Sequence, residues 1–393
     1  MSGRTGACPE PVEGCPPTGA LPHDHGRPHR VAPTMIGTTE SPAAIATTSP
    51  DMLRGNKSIT NNALNHFIGG PMLTAQDIKG ALAIMPTPAN KGAERLDATN
   101  TVDLDETARL AESLVRDGAN GIMALGTMGE CATTAQADYE AYVDCLLQTV
   151  RGRIPTFVGT TSLSGHEIAR RIKFVKERGA SGTLLGVPMW QPANVAMAVK
   201  FYADVASTFP DFPIMVYANP RAFRFDFGVD FWGQVVEKAP TVMSAKFSSK
   251  AILKQCVEVA KGKVNFVPPV GLAYEFAQIS PASQTTCWIP SVGPQVAIAL
   301  MKALADGNAA QAKSVAADIA WANEPHHAIT GSQEIFASYN IQLEKVLMSA
   351  SGYCNTGPIR PPYNYMPDEY RKAATEGGQR YAKLREKYSK VLG

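Results

Sequence analysis

From residue 80 onward, apolar runs of four to six residues recur along the chain, separated by longer stretches whose apolar positions return every three or four residues. A short continuous apolar run reads as a buried strand, and a period near 3.6 reads as a helix with one buried face. The runs place strands at 81–85, 121–125, 156–159, 182–187, 213–217, 242–246, 264–267 and 285–289. Helices fall between them, for example at 104–117, 139–150, 167–178, 195–208 and 231–238. Eight successive βα units predict an α/β chain closed into a (β/α)8 TIM barrel. A doubly wound open sheet is the alternative, and it usually has fewer units.

Three further helices, at 311–322, 333–351 and 368–388, exceed what a bare barrel requires. They are expected to cover one flank of the barrel, to reach over its mouth and to supply part of a subunit interface. Residues 1–72 differ from the rest: Pro-rich punctuation such as Cys15-Pro16-Pro17 interrupts a stretch with almost no periodic apolar pattern. Such a segment buries too little surface to offset the entropy of ordering it. It is therefore expected to be a disordered extension; a mis-called start or a transit-like leader are the alternatives. The expected division is 1–72 extension, 73–305 barrel and 306–393 C-terminal helical region.

Composition narrows the function classes. A formal charge of +2 with 18% charged and 45% hydrophobic residues leaves no electrostatic bias toward nucleic acid or membrane. No window approaches the roughly 18 uninterrupted apolar residues of a membrane span. The first 30 residues lack the apolar centre of a secretory signal. The seven cysteines, Cys8, Cys15, Cys131, Cys145, Cys256, Cys287 and Cys354, include no C-x-x-C pair, so reduced cytoplasmic thiols are expected rather than disulfides or a zinc site.

In a barrel of this kind the chemistry lies at the C-terminal ends of the strands. After the second strand stands Gly126-Thr127-Met128-Gly129-Glu130, where two glycines allow backbone N–H groups to cradle a carboxylate or phosphate. The same text also occurs as a plain turn. Tyr217 and Asn219 close the fifth strand; a phenol there can shuttle a proton and the amide can orient a carbonyl or hydroxyl. A tyrosine packed at a strand end, with Pro220 closing the turn, is the bland alternative. Lys246 ends the sixth strand, where burial would favour its neutral amine and lower its pKa toward the range in which it attacks a carbonyl. A lysine outside the barrel in a surface ion pair is the competing reading. Trp288, at the eighth strand, either stacks on an unsaturated substrate or fills the core.

The order and placement of these residues resemble one known family. From about residue 75 to 390 the chain is similar to the dihydrodipicolinate synthase / N-acetylneuraminate lyase superfamily of Schiff-base aldolases, and within it to the aromatic hydratase-aldolases acting on trans-o-hydroxybenzylidenepyruvate. The matching text includes Met85-Pro86-Thr87-Pro88, Gly126-Thr127-Met128-Gly129-Glu130-Cys131-Ala132-Thr133 and Gly186-Val187-Pro188-Met189-Trp190. It continues with Tyr217-Ala218-Asn219-Pro220, Tyr339-Asn340-Ile341 and Arg360-Pro361-Pro362-Tyr363-Asn364.

The resemblance implies that Lys246 forms an imine with an α-keto acid, and that Tyr217 is the acid/base with the Thr127 hydroxyl in its relay. It further implies that the turn from Gly126, through the Thr127 and Met128 amides, holds the pyruvate carboxylate, and that Asn219, Trp288 and Asn340 line the pocket. The implied reaction hydrates an arylidenepyruvate and cleaves the product to an aromatic aldehyde and pyruvate, with no cofactor and no metal. A homo-oligomer, a tetramer foremost, is implied as well. Several positions depart from the superfamily pattern: Met128 replaces a second hydroxyl residue, Phe247-Ser248-Ser249 a Tyr and a Gly-containing turn, and Pro268-Pro269-Val270-Gly271 a polar stretch. Alternatives are a dihydrodipicolinate synthase, a sugar-acid lyase or dehydratase, or a non-catalytic barrel that binds keto acids.

Overall fold

The computed structural model describes residues 72–280, 284–288, 293–330 and 333–392, so the expected extension over 1–72 lies, apart from Met72, outside the described residues. Eight parallel strands follow one another in space: β1 (Gly80–Met85), β2 (Gly121–Ala124), β3 (Thr156–Gly159), β4 (Gly182–Leu185), β5 (Ile214–Tyr217), β6 (Val242–Lys246), β7 (Asn265–Val267) and β8 (Thr285–Trp288). β1 pairs with both β2 and β8. The ring closes between β7 and β8, where the Cys287 N–H and the Thr286 hydroxyl donate to the Pro268 carbonyl at 2.8 and 3.0 Å. Residues of β2 to β5 are buried throughout, which is why these strands read as continuous apolar runs rather than alternating ones.

The intervening helices are α1 (Leu104–Arg116), α2 (Gln136–Val150), α3 (Gly165–Glu177), α4 (Val195–Thr208), α5 (Pro220–Phe223), α6 (Val229–Lys238), α7 (Leu253–Ala260), α8 (Ala273–Ile279) and α9 (Gln295–Ala305). Local chemistry starts several of them: Asp103, Ser164 and Asn194 each accept a backbone N–H at the head of α1, α3 and α4. The two segments that departed from the superfamily text enter their helices through 3₁₀ turns, Lys250–Ile252 and Val270–Leu272.

Three helices complete the chain: α10 (Ala309–Thr330), α11 (Gln333–Ala350) and α12 (Asp368–Leu392). α12 packs on α9, α10 and α11. α11 is interrupted at Tyr339, whose φ of −123° and ψ of 18° leave the helical region immediately before Asn340.

A buried ion cluster fastens this C-terminal region to the loop after β2. The Glu130 carboxylate accepts from Lys345 of α11 at 2.9 Å and from Arg360 at 2.5 Å, and all three side chains are at most 4% exposed. Arg360 also donates to the carbonyls of Thr87, Pro88 and Thr101 and to the Thr101 hydroxyl. A buried charge left without its partner is costly, so Glu130→Gln, which strands two cations, is expected to destabilise the fold by about 3–5 kcal/mol. Denaturant unfolding of this variant checks the value, and a loss below about 1 kcal/mol contradicts it.

Candidate active site

The chain delivers its candidate residues to the barrel mouth from four strand ends and one added helix. Lys246 is the last residue of β6 and Tyr217 the last of β5, and the two are register partners. The Lys246 Nζ lies 4.8 Å from the centre of the Tyr217 ring. The phenol oxygen is 3.0 Å from the Thr127 hydroxyl and receives the Asn219 side-chain amide at 3.3 Å. Because Asn219 donates to that oxygen, the phenol proton is not shared with Asn219 and is available to Thr127 or a substrate oxygen. The other end of the Asn219 amide caps α5 by accepting from Ala222 at 3.4 Å, so Asn219 orients Tyr217 as well as lining the pocket.

Two glycines make the site possible for steric reasons. A Cβ on Gly129 would lie 2.8 Å from the Leu125 backbone nitrogen, whereas one on Gly126 would make only ordinary contact with the Tyr217 ring. A Cβ on Gly186 would overlap the Phe223 ring, and that ring meets Tyr217 edge-on at 5.2 Å and holds it in place. The loop after β2 is bracketed by left-handed residues, Leu125 (φ 55°) and Glu130 (φ 56°), the second held by the ion cluster described above. Among the described residues, the N–H groups of Thr127 and Met128 donate to no protein acceptor, so both remain as donors for an anion.

These groups share one space. A cavity of about 330 Å³ is lined by Lys246, Tyr217, Thr127, Met128, Trp288 and Asn340, with Asn219 beside them. A second cavity of about 310 Å³ adds Gly126, Met189, Phe223 and Tyr363, and meets the first at Thr127, Tyr217, Asn219, Arg221, Phe336 and Asn340. All eight residues expected from the sequence therefore line one or the other. Trp288 is 2% exposed, and its indole N–H has no partner among the described residues.

One electrostatic expectation needs correcting. Burial does act to lower the Lys246 pKa, but Tyr217, Cys287 and Glu344 around the amine raise it by more, and the net value lies above the ordinary lysine range. The resting amine is thus an ammonium that must release a proton before it attacks a ketone. Burial pushes the Cys287 thiol up to about 11, so it is uncharged near neutrality. Burial, followed by His327, pushes the neighbouring His326 down to about 4.

Three participants escaped the sequence reading, Glu344 and Arg221 at the cavity wall and Lys345 in the buried cluster, and Glu130 was read only as part of the turn after β2. A usable signal existed for Glu344, which follows Asn340 by one helical turn and so lies on the same face. Among the described residues, no group of three or more His, Cys, Asp and Glu side chains is arranged to hold a metal ion.

Comparisons with known proteins agree with this geometry. The model of the dihydrodipicolinate synthetase family matches residues 90–377. The chain is 41% identical over 333 residues to a trans-O-hydroxybenzylidenepyruvate hydratase-aldolase of Pseudomonas putida, covering 83% of this chain and 100% of that protein. It is 33% identical over 328 residues to a trans-2'-carboxybenzalpyruvate hydratase-aldolase of Nocardioides sp. (strain KP7), covering 82% and 98%. Among solved structures, PhdJ bound to substrate intermediate superposes with a TM-score of 0.77 at 32% identity, over 81% of this chain and 99% of that one.

Proposed function

This chain belongs to the dihydrodipicolinate synthetase family, and we propose that it is a class I, Schiff-base hydratase-aldolase that converts an arylidenepyruvate and water into an aromatic aldehyde and pyruvate. The observation that carries the reading is the register pairing of Lys246 with Tyr217 at the mouth of a cavity, in a chain that spans the full length of a hydratase-aldolase relative.

Lys246 condenses with the keto carbon, and the protonated imine draws electrons from the neighbouring C=C bond so that water can add at C4. In the second stage the C4 hydroxyl gives up its proton, the C3–C4 bond breaks, and the aldehyde leaves behind an enamine that is protonated and hydrolysed to pyruvate. Tyr217 serves the C4 hydroxyl as acid and base, with Thr127 3.0 Å away to pass the proton on. The Thr127 and Met128 amides hold the carboxylate, Trp288 walls the aryl group, and Asn340 meets the incoming water. The imine supplies the electrophile itself, so the reaction as written calls for no metal ion.

We place the protein in the cytoplasm, a reading supported by the free thiols of Cys131, Cys145, Cys256, Cys287 and Cys354. No helix among the described residues is long and apolar enough to cross a membrane. A homo-oligomer, foremost a tetramer, is the assembly we propose; Trp190, 81% exposed, and Leu163, 58% exposed, are apolar surface that a subunit contact would cover.

Mixing the purified protein with pyruvate and a panel of aldehydes tests the substrate class. Aromatic aldehydes are expected to yield absorbing arylidenepyruvates, whereas aspartate semialdehyde and N-acetylmannosamine are expected to give no product. Turnover of either of the latter in preference to benzaldehydes overturns the reading.

A further inference from the structure

We infer that the Glu344 carboxyl carries the proton of the hydration step, taking it from the water that adds to C4 and returning it to C3. The inference rests on the hydratase-aldolase reading above and assigns a group that reading leaves open. The two stages make different demands. Cleavage needs a proton removed from the C4 hydroxyl, and Tyr217 is tied to Thr127 and Asn219 for that purpose. Hydration needs a proton removed from water and another delivered to C3, and a single carboxyl group can do both in turn.

Glu344 is placed to act there. It lines the same cavity as Lys246 and Trp288, and it arrives from α11 rather than from a strand end. Asn340 stands one helical turn earlier on α11 and lines the same cavity. Amide and carboxylate together form a site where a water molecule can be held by the neutral amide and deprotonated by the carboxylate acting as a base. The ion pair that fastens α11 is made by the next residue, Lys345, at 2.9 Å from Glu130. That leaves the adjacent carboxylate facing the cavity, with Lys246 and Arg221 as the cations that act on it.

The step balances without any further reactant. Water's oxygen forms its bond to C4 as Glu344 accepts the proton, and the C3=C4 electron pair moves into the C2–C3 bond to give the enamine. Glu344 then donates that proton to C3, restoring the iminium and its own carboxylate. One H and one OH have been added across C3=C4.

The test separates the stages by substrate. Wild type and Glu344→Gln are each given an arylidenepyruvate, then the corresponding 4-aryl-4-hydroxy-2-keto acid, then pyruvate with borohydride. The Gln variant is expected to consume the arylidenepyruvate at least about 100-fold more slowly. Aldehyde release from the hydroxy-keto acid in a single turnover, which precedes protonation of C3, is expected to stay within about threefold of wild type. Trapping of pyruvate on Lys246 is expected to be no slower, because loss of the Glu344 charge favours the neutral amine. Glu344→Asp, which keeps the acid on a shorter arm, should recover part of the hydration rate, and it provides the same comparison should the Gln variant fail to fold. Equal losses with both substrates, or unchanged consumption of the arylidenepyruvate, overturn the assignment. A wild-type protein that traps no pyruvate overturns the parent reading instead.

Discussion

Lys246→Ala and Lys246→Arg are both expected to lower turnover of an arylidenepyruvate by roughly 10⁵-fold or more, the scale seen when a covalent nucleophile is removed. Alanine removes the amine, and arginine keeps a cation that cannot form the imine. Borohydride reduction with pyruvate should place a reduced adduct on the peptide carrying Lys246 in the wild type and on no peptide in either variant. Residual turnover within tenfold of wild type in the arginine variant would mean that the amine is not the electrophile's anchor. The surroundings add a pH signature. Because Tyr217, Cys287 and Glu344 hold the amine above its ordinary range, less of it is neutral at pH 7 than for a free lysine. The rate of imine formation, followed by stopped flow with an absorbing arylidenepyruvate, should therefore climb steadily as pH rises through neutrality. A plateau reached below about pH 8 would contradict that sign.

Tyr217→Phe is expected to reduce kcat for cleavage by about 10²–10⁴-fold, the usual worth of a placed acid or base. The ring itself is retained, so its edge contact with Phe223 and its place over Lys246 survive. What is lost is one oxygen, the partner of both Thr127 and Asn219. Pyruvate trapping on Lys246 should persist, which separates a failed proton transfer from a failed condensation. The cost to stability should be small, about 1 kcal/mol, because the two orphaned groups sit at the edge of a cavity that water can enter. Normal cleavage by this variant would move the acid/base role to another group.

The strands carrying Tyr217 and Lys246 were legible because a barrel strand is buried on both faces, so its sequence is a short uninterrupted apolar run. β3 and β6 fall on the expected residues. The polar residue that ends such a run then stands out by contrast, as Lys246 and Tyr217 do. α11 was legible as a helix but not as a carrier of chemistry. Its break at Tyr339 leaves no sign in the apolar pattern, and the direction in which Glu344 points depends on that break and on what fastens the helix. Arg360 stood out in the matching text, yet its partner Glu130 lies 230 positions away, a separation that no local pattern reports.

By itself the sequence determined the eightfold βα repeat, the strand ends that bear the candidate groups and the likeness to Schiff-base aldolases. Those properties follow from short-range periodicity and from residue order. Only the tertiary structure decided the electrostatics of the amine, the use of Asn219 to orient Tyr217, and the presence of Glu344 in the cavity. Each of these is a sum over groups brought together from distant parts of the chain, and burial alone had pointed to the opposite shift at Lys246.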